Sequence, residues 1–298
     1  MERLRRLLLQ ENIPHEIDCL LSRHASFRIG GTADLAAFPQ SREQLLRVLC
    51  AVLETNVRYV VIGNASNVLF PDGAFHGVVI FTCGYKEITL SGSRIRASAG
   101  VSLLSLARTA CDAALSGLEF AYGIPGTLGG AILMNAGAYG GEISSVCVES
   151  EYFDAESGKI SSFAGDSQEF GYRTSIYEKH PRYTILGATL QLTPDDCDAV
   201  RLRMEDYIAR RRSKQPLDFP SAGSVFKRPE GHFAGKLIED CGLKGFSIGG
   251  AQVSEKHAGF IINRGGATAA DVHALVEFIR ERVFITFGIE LVCEIKFI

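Results

Sequence analysis

Apolar positions along the chain follow two periods. Residues 41–55, SREQLLRVLCAVLET, repeat at helical spacing, with Leu45, Val48, Leu49 and Val52 on one stripe. Ser41 stands at the N-cap position, and Gln44 completes a capping-box pattern. RYVVIG (58–63) and GVVIF (77–81) are short apolar runs that predict buried strands. SLLSLARTACDAAL (102–115) predicts a helix with Leu103, Leu106, Ala107, Ala110 and Ala114 on its core face and Gly117 just past its end. VESEYFDA (148–155), KISSFA (159–164) and YTILGATLQL (183–192) predict strands. Pro194 interrupts this pattern, and a helix follows whose stripe is Val200, Met204, Tyr207 and Ile208. A last helix starts near Thr268 and buries Val272, Leu275, Val276, Ile279 and Val283. The closing run 289–297 predicts a strand with Ile289, Leu291, Cys293, Ile295 and Phe297 on one face. Glu290, Glu294 and Lys296 fall on the other, which lets Glu294 face a cleft.

One stretch fits neither period. Residues 123–141, GIPGTLGGAILMNAGAYGG, hold seven of the chain's 31 glycines, too many for a regular helix or strand. The remaining composition narrows the class. With 46% hydrophobic and 22% charged residues over 298 positions, the chain reads as globular, with about two domains. A net charge of −3 argues against a nucleic-acid partner. No apolar run approaches the length of a membrane span, and MERLRRLLLQEN is too short in its apolar part for a secretory signal. The eight cysteines include no C-x-x-C, the seven histidines no H-E-x-x-H, and no metal site is expected. Reduced, buried thiols in a cytoplasmic protein are the reading these cysteines support.

Two loops are suited to phosphate. GNASN (63–67) follows a predicted strand directly, and the glycine-rich stretch can bring backbone N–H groups close to an anion. Neither is a dinucleotide fingerprint of the G-x-G-x-x-G type, and no G-K-[ST] follows. The choice lies between paired tight turns and a phosphate-bearing cofactor in an uncommon fold. The concentration of glycine favours the cofactor.

GNASNVL, YGIPGTLGGAILMNAGAYGGE, EFGYRTS, RRSKQP, PSAGSVFKRP and CEIKF occur in an order that resembles the UDP-N-acetylenolpyruvoylglucosamine reductases (MurB) over roughly residues 20–298. The interval between Tyr172 and Tyr183 leaves no room for an extra tyrosine-bearing loop, so the chain is similar to the shorter, second type. The resemblance implies an α+β fold: an FAD-binding domain of the p-cresol methylhydroxylase (PCMH) type, made of two α+β subdomains, then a C-terminal α/β substrate domain. The expected division is an N-terminal segment 1–22, an FAD domain 23–194 and a substrate domain 195–298.

By the same resemblance, FAD is the cofactor and NADPH the co-substrate. The substrate is UDP-N-acetylglucosamine enolpyruvate, reduced to UDP-N-acetylmuramate for peptidoglycan by a monomeric cytoplasmic enzyme. NADPH reduces FAD and leaves, and the enolpyruvyl ether then takes hydride. The residues expected to hold FAD are Gly63, Asn64, Ala65, Ser66 and Asn67, with Tyr122, Gly123, Ile124, Pro125, Gly126, Gly129, Gly130, Asn135 and Gly137. Ser224 matches the proton donor, and Arg173 and Glu294 match the other two catalytic residues. Tyr139, Tyr172, Lys214 and Lys296 match substrate-side positions. Elementary chemistry agrees. Hydride arriving at an enol ether builds negative charge toward the carboxylate, which a permanently charged guanidinium stabilises. A serine hydroxyl is a weak acid and donates only when held against the carbanion.

Four positions depart from the family's common pattern: Ala65 for glycine, Arg228 for asparagine, and Val292 and Cys293 for a Glu-Pro pair. Ala65 must avoid a left-handed backbone or accept strain. Two other readings are an FAD enzyme of the same fold acting on a different substrate, and a non-catalytic binder of flavin or nucleotide sugar.

Overall fold

A computed structural model describes all 298 residues. The chain forms two compact units that interleave along the sequence. Unit 1 comprises Met1–Ile17, Asp34–Asn64 and His76–Arg210; unit 2 comprises Asp18–Ala33, Ala65–Phe75 and Arg211–Ile298. This partition is by compactness, whereas the expected division at residue 194 is by chain order.

Unit 1 is built on two sheets. A five-stranded antiparallel sheet runs in the order Lys159–Ala164, Cys147–Asp154, Tyr183–Gln191, Arg94–Ser98, Ile88–Ser91. Its inward residues Ile95, Ala97, Ala188 and Leu190 meet Leu103, Leu106, Ala107 and Ala110 of the helix Leu103–Asp112. That helix stops earlier than the sequence predicts. Ala114 already takes a left-handed backbone after it (φ 55°), Leu115–Ser116 then pair with Thr193–Pro194, and Gly117 follows with its own positive φ (125°). The second sheet runs His15–Leu20, Thr32–Ala37, Phe75–Phe81, Tyr59–Ile62, and the chain passes between units inside three of these strands. Within it, Tyr59–Ile62 and Phe75–Phe81 run parallel. Leu45, Val48, Leu49 and Val52 of the helix Arg42–Glu54 are fully buried in the core beside it, as the 3.6-residue period requires. The Ser41 hydroxyl accepts from the Gln44 N–H at 3.2 Å, while Gln44 Oε1 accepts from the Gln40 N–H rather than closing a capping box.

The glycine-rich stretch is not free of regular structure: Leu128–Leu133 is a short helix. Tertiary packing overrides propensity there. Leu128 and Ile132 are fully buried, and a Cβ on Gly129 would come within 2.9 Å of Ala99 Cβ.

Unit 2 holds an antiparallel sheet in the order Ser221–Ser224, Phe260–Asn263, Ala251–Val253, Ser247–Ile248. The helix Ala269–Phe287 packs Val272, Leu275, Val276, Ile279 and Val283 into this unit's core. A Thr268–Asp271 capping box starts it, and Gly288 ends it at φ 69°. The predicted strand 289–297 is interrupted: only Lys296–Phe297 is a strand, parallel to Val68–Leu69, with a separate bridge between Phe226 and Cys293. The segment is paired to two different partners, so strict alternation breaks. Leu291 and Ile295 are buried, Cys293 is half-buried, and Phe297 is 39% exposed. No helix is long and apolar enough to cross a membrane.

Candidate active site

The expected site residues fall into two sets, one in each unit. In unit 1, Gly63 and Asn64 leave the strand Tyr59–Ile62 and meet the glycine-rich stretch. A Cβ on Gly63 would lie 2.2 Å from Thr127 Oγ1, so no larger residue fits. Asn64 Nδ2 donates to the Pro125 carbonyl at 2.9 Å. The Gly126 carbonyl accepts from the Leu103 N–H, and the Gly129 N–H donates to Ala99 O at 2.9 Å, fixing the stretch against the core. Tyr122, Gly123, Ile124, Pro125, Gly126, Gly129 and Gly130 thus form one continuous segment opposite Gly63 and Asn64. Thr127 went unnoticed in the sequence. It stands at the N-cap position of Leu128–Leu133, yet its hydroxyl makes no capping bond; Oγ1 is buried and has no hydrogen-bond partner. A threonine just before an apolar helical turn was the available signal.

The approach to this segment is anchored by Glu119, which is 8% exposed. Burial alone would raise its pKa. The Gly117 N–H at 2.8 Å, the Ser116 hydroxyl and the Arg203 guanidinium at 2.8 Å outweigh burial and hold it below the ordinary value.

Arg173 lies in a turn closed by reciprocal bonds between Gly171 and Thr174. Its backbone is left-handed (φ 54°), an unfavourable state for arginine. Its guanidinium donates to Gly137 O at 2.9 Å and Asn135 O at 3.3 Å, so Asn135 and Gly137 sit beside it. Tyr172 is exposed, with the guanidinium carbon 5.3 Å from its ring centroid. Tyr139, also left-handed (φ 54°), stacks on Tyr207 at 4.7 Å between centroids. Tyr207 is a second residue the sequence reading assigned only to the core.

In unit 2, Ala65 takes φ 45° and is buried: it accepts strain instead of avoiding it. Ser66 is half-buried beside it. Asn67 links to the chain's end, with Nδ2 donating to Glu294 O at 3.1 Å and its carbonyl accepting from the Lys296 N–H at 2.9 Å. The Glu294 N–H donates to Val225 O at 2.7 Å, one residue beyond Ser224. Asn67, Ser224, Glu294 and Lys296 are therefore brought together by main-chain register.

Ser224 ends the strand Ser221–Ser224, and its hydroxyl makes a long 3.4 Å contact to Phe226 O. Gly259 keeps the neighbouring space small: a Cβ there would lie 2.9 Å from His257 Cε1 and 3.5 Å from Ser224 Oγ. Burial lowers the His257 pKa, which keeps the ring neutral, with Nδ1 accepting from the Gly259 N–H. Lys214 is exposed at the end of the helix Cys197–Lys214. Arg228 places its guanidinium 4.6 Å from the Phe233 ring centroid. Val292 is exposed and accepts from the Lys227 N–H through its carbonyl, a role that needs no particular side chain.

Residues 215–298 match the C-terminal domain model of the UDP-N-acetylenolpyruvoylglucosamine reductases, and residues 33–163 match an FAD binding domain. A UDP-N-acetylenolpyruvoylglucosamine reductase of Clostridium botulinum is 46% identical over 282 residues, 95% of this chain and 92% of the relative. One from Caldanaerobacter subterraneus is 46% identical over 278 residues, 93% of this chain and 91% of the relative. The crystal structure of the Thermus caldophilus reductase superposes with a TM-score of 0.81 at 31% identity, covering 96% of this chain and 98% of that one. The chain belongs to the UDP-N-acetylenolpyruvoylglucosamine reductase family.

Proposed function

We propose that Arg173, Ser224 and Glu294 are the catalytic residues of this chain. The enzyme is an NADPH-dependent flavoenzyme that reduces UDP-N-acetylglucosamine enolpyruvate to UDP-N-acetylmuramate in peptidoglycan synthesis. The residues of unit 1 fit a bound FAD on one count: Thr127 Oγ1 is a buried hydroxyl lacking a partner. Gly63, Asn64, Ala65, Ser66 and Asn67, with Tyr122, Gly123, Ile124, Pro125, Gly126, Gly129, Gly130 and Gly137, would hold it, whereas Asn135 commits its side-chain amide to Ser144 and Gly171. FAD when bound supplies the hydride chemistry.

The observation that carries the assignment is Arg173. A strained left-handed arginine whose guanidinium is held on two carbonyls is backbone strain maintained for a purpose. That cation faces negative charge developing on the substrate's carboxylate side. Ser224 donates the proton to the neighbouring carbon, and its weak 3.4 Å contact leaves the hydroxyl free to turn toward substrate. Glu294 orients the donor or, as the protonated acid, donates a hydrogen bond to the enolate, its main chain fixed from both sides. Tyr139, Tyr172, Lys214 and Lys296 are assigned to substrate contacts. In functional terms residues 23–194 serve the cofactor and 195–298 the substrate, with 1–22 preceding both. The enzyme acts as a monomer, and its eight free cysteines support a reducing cytoplasm as its compartment.

The test is Ser224→Ala in stopped flow. NADPH bleaches the flavin at the wild-type rate, and enolpyruvyl substrate restores its absorbance about 100-fold or more slowly. Restoration at the wild-type rate refutes the role of Ser224.

A further inference from the structure

Arg173 is held on both sides by one buried residue. Asn135 is 1% exposed and left-handed (φ 44°), a state asparagine tolerates better than most residues. Its side-chain amide joins two chain segments. Oδ1 accepts from the Ser144 N–H at 2.9 Å, and Nδ2 donates to the Gly171 carbonyl at 3.0 Å. Gly171 opens the turn that carries Arg173, so the amide fixes where that turn sits. The Asn135 carbonyl then accepts from the Arg173 guanidinium itself. Ser175 adds a second tie on the far side of the turn, its hydroxyl donating to Leu133 O at 2.7 Å.

We propose that Asn135 is a positioning residue for Arg173. It acts through the Gly171–Thr174 turn to set the guanidinium, and its side-chain amide serves the protein rather than the cofactor. The proposal rests on the reading of Arg173 as a catalytic residue. Two features converge on it. A buried amide with both of its functional ends bonded is a rigid connector. Asn135 and Arg173, joined through the Asn135 carbonyl, are both left-handed, so the two strained positions are tied to each other.

Asn135→Asp isolates the clamp. The introduced carboxylate still accepts from the Ser144 N–H but places an oxygen against Gly171 O, pushing the turn away. Asn135→Gly keeps the left-handed backbone and removes the clamp altogether, and it stands in if the first variant fails to fold. The readouts are flavin content, the single-turnover rate of flavin reduction by NADPH, and the rate of reoxidation by enolpyruvyl substrate.

A misplacement of about an ångström at a reacting group costs ~10- to 100-fold, and that loss is expected in reoxidation alone. Flavin content and reduction by NADPH stay within about two-fold of wild type. Added to Arg173→Ala, either Asn135 substitution changes reoxidation by less than about two-fold, since the group it positions is gone. Acid pH restores reoxidation in Asn135→Asp but not in Asn135→Gly, because a protonated carboxyl regains a donor toward Gly171 O.

Equal losses in flavin content and in both half-reactions overturn the proposal in favour of a cofactor contact. Full multiplication of the Asn135 effect onto Arg173→Ala overturns it as well. A slow Arg173→Ala enzyme beside wild-type Asn135 variants refutes the positioning role alone. Wild-type reoxidation in Arg173→Ala refutes the catalytic reading of Arg173, and the positioning role falls with it.

Discussion

The two sets of site residues are specified by different means. In unit 1 the geometry is enforced by contact. A Cβ would meet Thr127 Oγ1 at Gly63, Ala99 Cβ at Gly129, and Gly141 O at 2.6 Å from Gly137. Asn135, Tyr139 and Arg173 hold left-handed backbones among them. In unit 2 the geometry comes from main-chain register. Glu294 and Lys296 are placed by backbone bonds to Val225 and Asn67. The four departures from the common family pattern, Ala65, Arg228, Val292 and Cys293, all lie in unit 2. Main-chain register tolerates side-chain change, whereas close packing around absent side chains does not.

Gly63→Ala tests the tightly packed side and carries the largest expected effect. A methyl 2.2 Å from a buried oxygen forces displacement of the glycine-rich stretch, a cost of ~1–3 kcal/mol in melting or denaturant unfolding. Flavin is lost on gel filtration. Adding Thr127→Ala removes Oγ1 and recovers much of the stability. It does not recover flavin binding, because the hydroxyl that lacks a protein partner is also gone. Thr127→Ala alone leaves the apoprotein at least as stable as wild type and weakens FAD binding by the value of one hydrogen bond, ~0.5–1.5 kcal/mol. Wild-type flavin affinity in Thr127→Ala would show that Thr127 does not contact the cofactor.

Glu119→Gln asks whether the anchor before Tyr122 depends on charge. The glutamate's pKa is depressed in the folded protein, so its contribution is present above the ordinary carboxylate value of 4.5 and fades as pH falls through the lower folded value. The amide keeps the shape but not the charge opposite Arg203, at a cost of ~1–3 kcal/mol near neutral pH. Stability curves of variant and wild type therefore converge as acid is added below about pH 4.5. A constant gap across that range would show that the effect is one of packing.

The difference between the sets also governs how much could be read beforehand. Regular elements were legible where one period ran unbroken: the buried stripes of the helices Arg42–Glu54 and Ala269–Phe287 appear as the pattern implies. The segment 289–297 misled because alternation describes one continuous ladder, and this segment is paired at Cys293 and again at Lys296. Leu128–Leu133 misled because the glycines that disfavour a helix locally are what allow it to approach Ala99. The candidate catalytic residues were visible only as a joint resemblance: a serine, an arginine and a glutamate far apart in sequence carry no periodic signal. Thr127, Tyr207 and the connecting role of Asn135 depend on contacts between segments, which one-dimensional spacing does not encode.

Ala65→Gly probes the tolerant side, and the expected effect is close to nothing. Ala65 shares its loop with Gly63 and adopts φ 45°, so a glycine there relieves about 1–2 kcal/mol of left-handed strain. Two terms oppose the gain. Glycine frees the unfolded chain by ~0.4–1 kcal/mol, and deleting a buried methyl costs ~0.8 kcal/mol. The sum lies within about 0.8 kcal/mol of zero, close to what surface substitutions do. Chemical denaturation of the two proteins at matched FAD concentration checks it. A stabilisation above ~1 kcal/mol would mean that Ala65 is held by contacts as tight as those around Gly63. The contrast between the sets would then end at this loop, two residues apart in one chain segment.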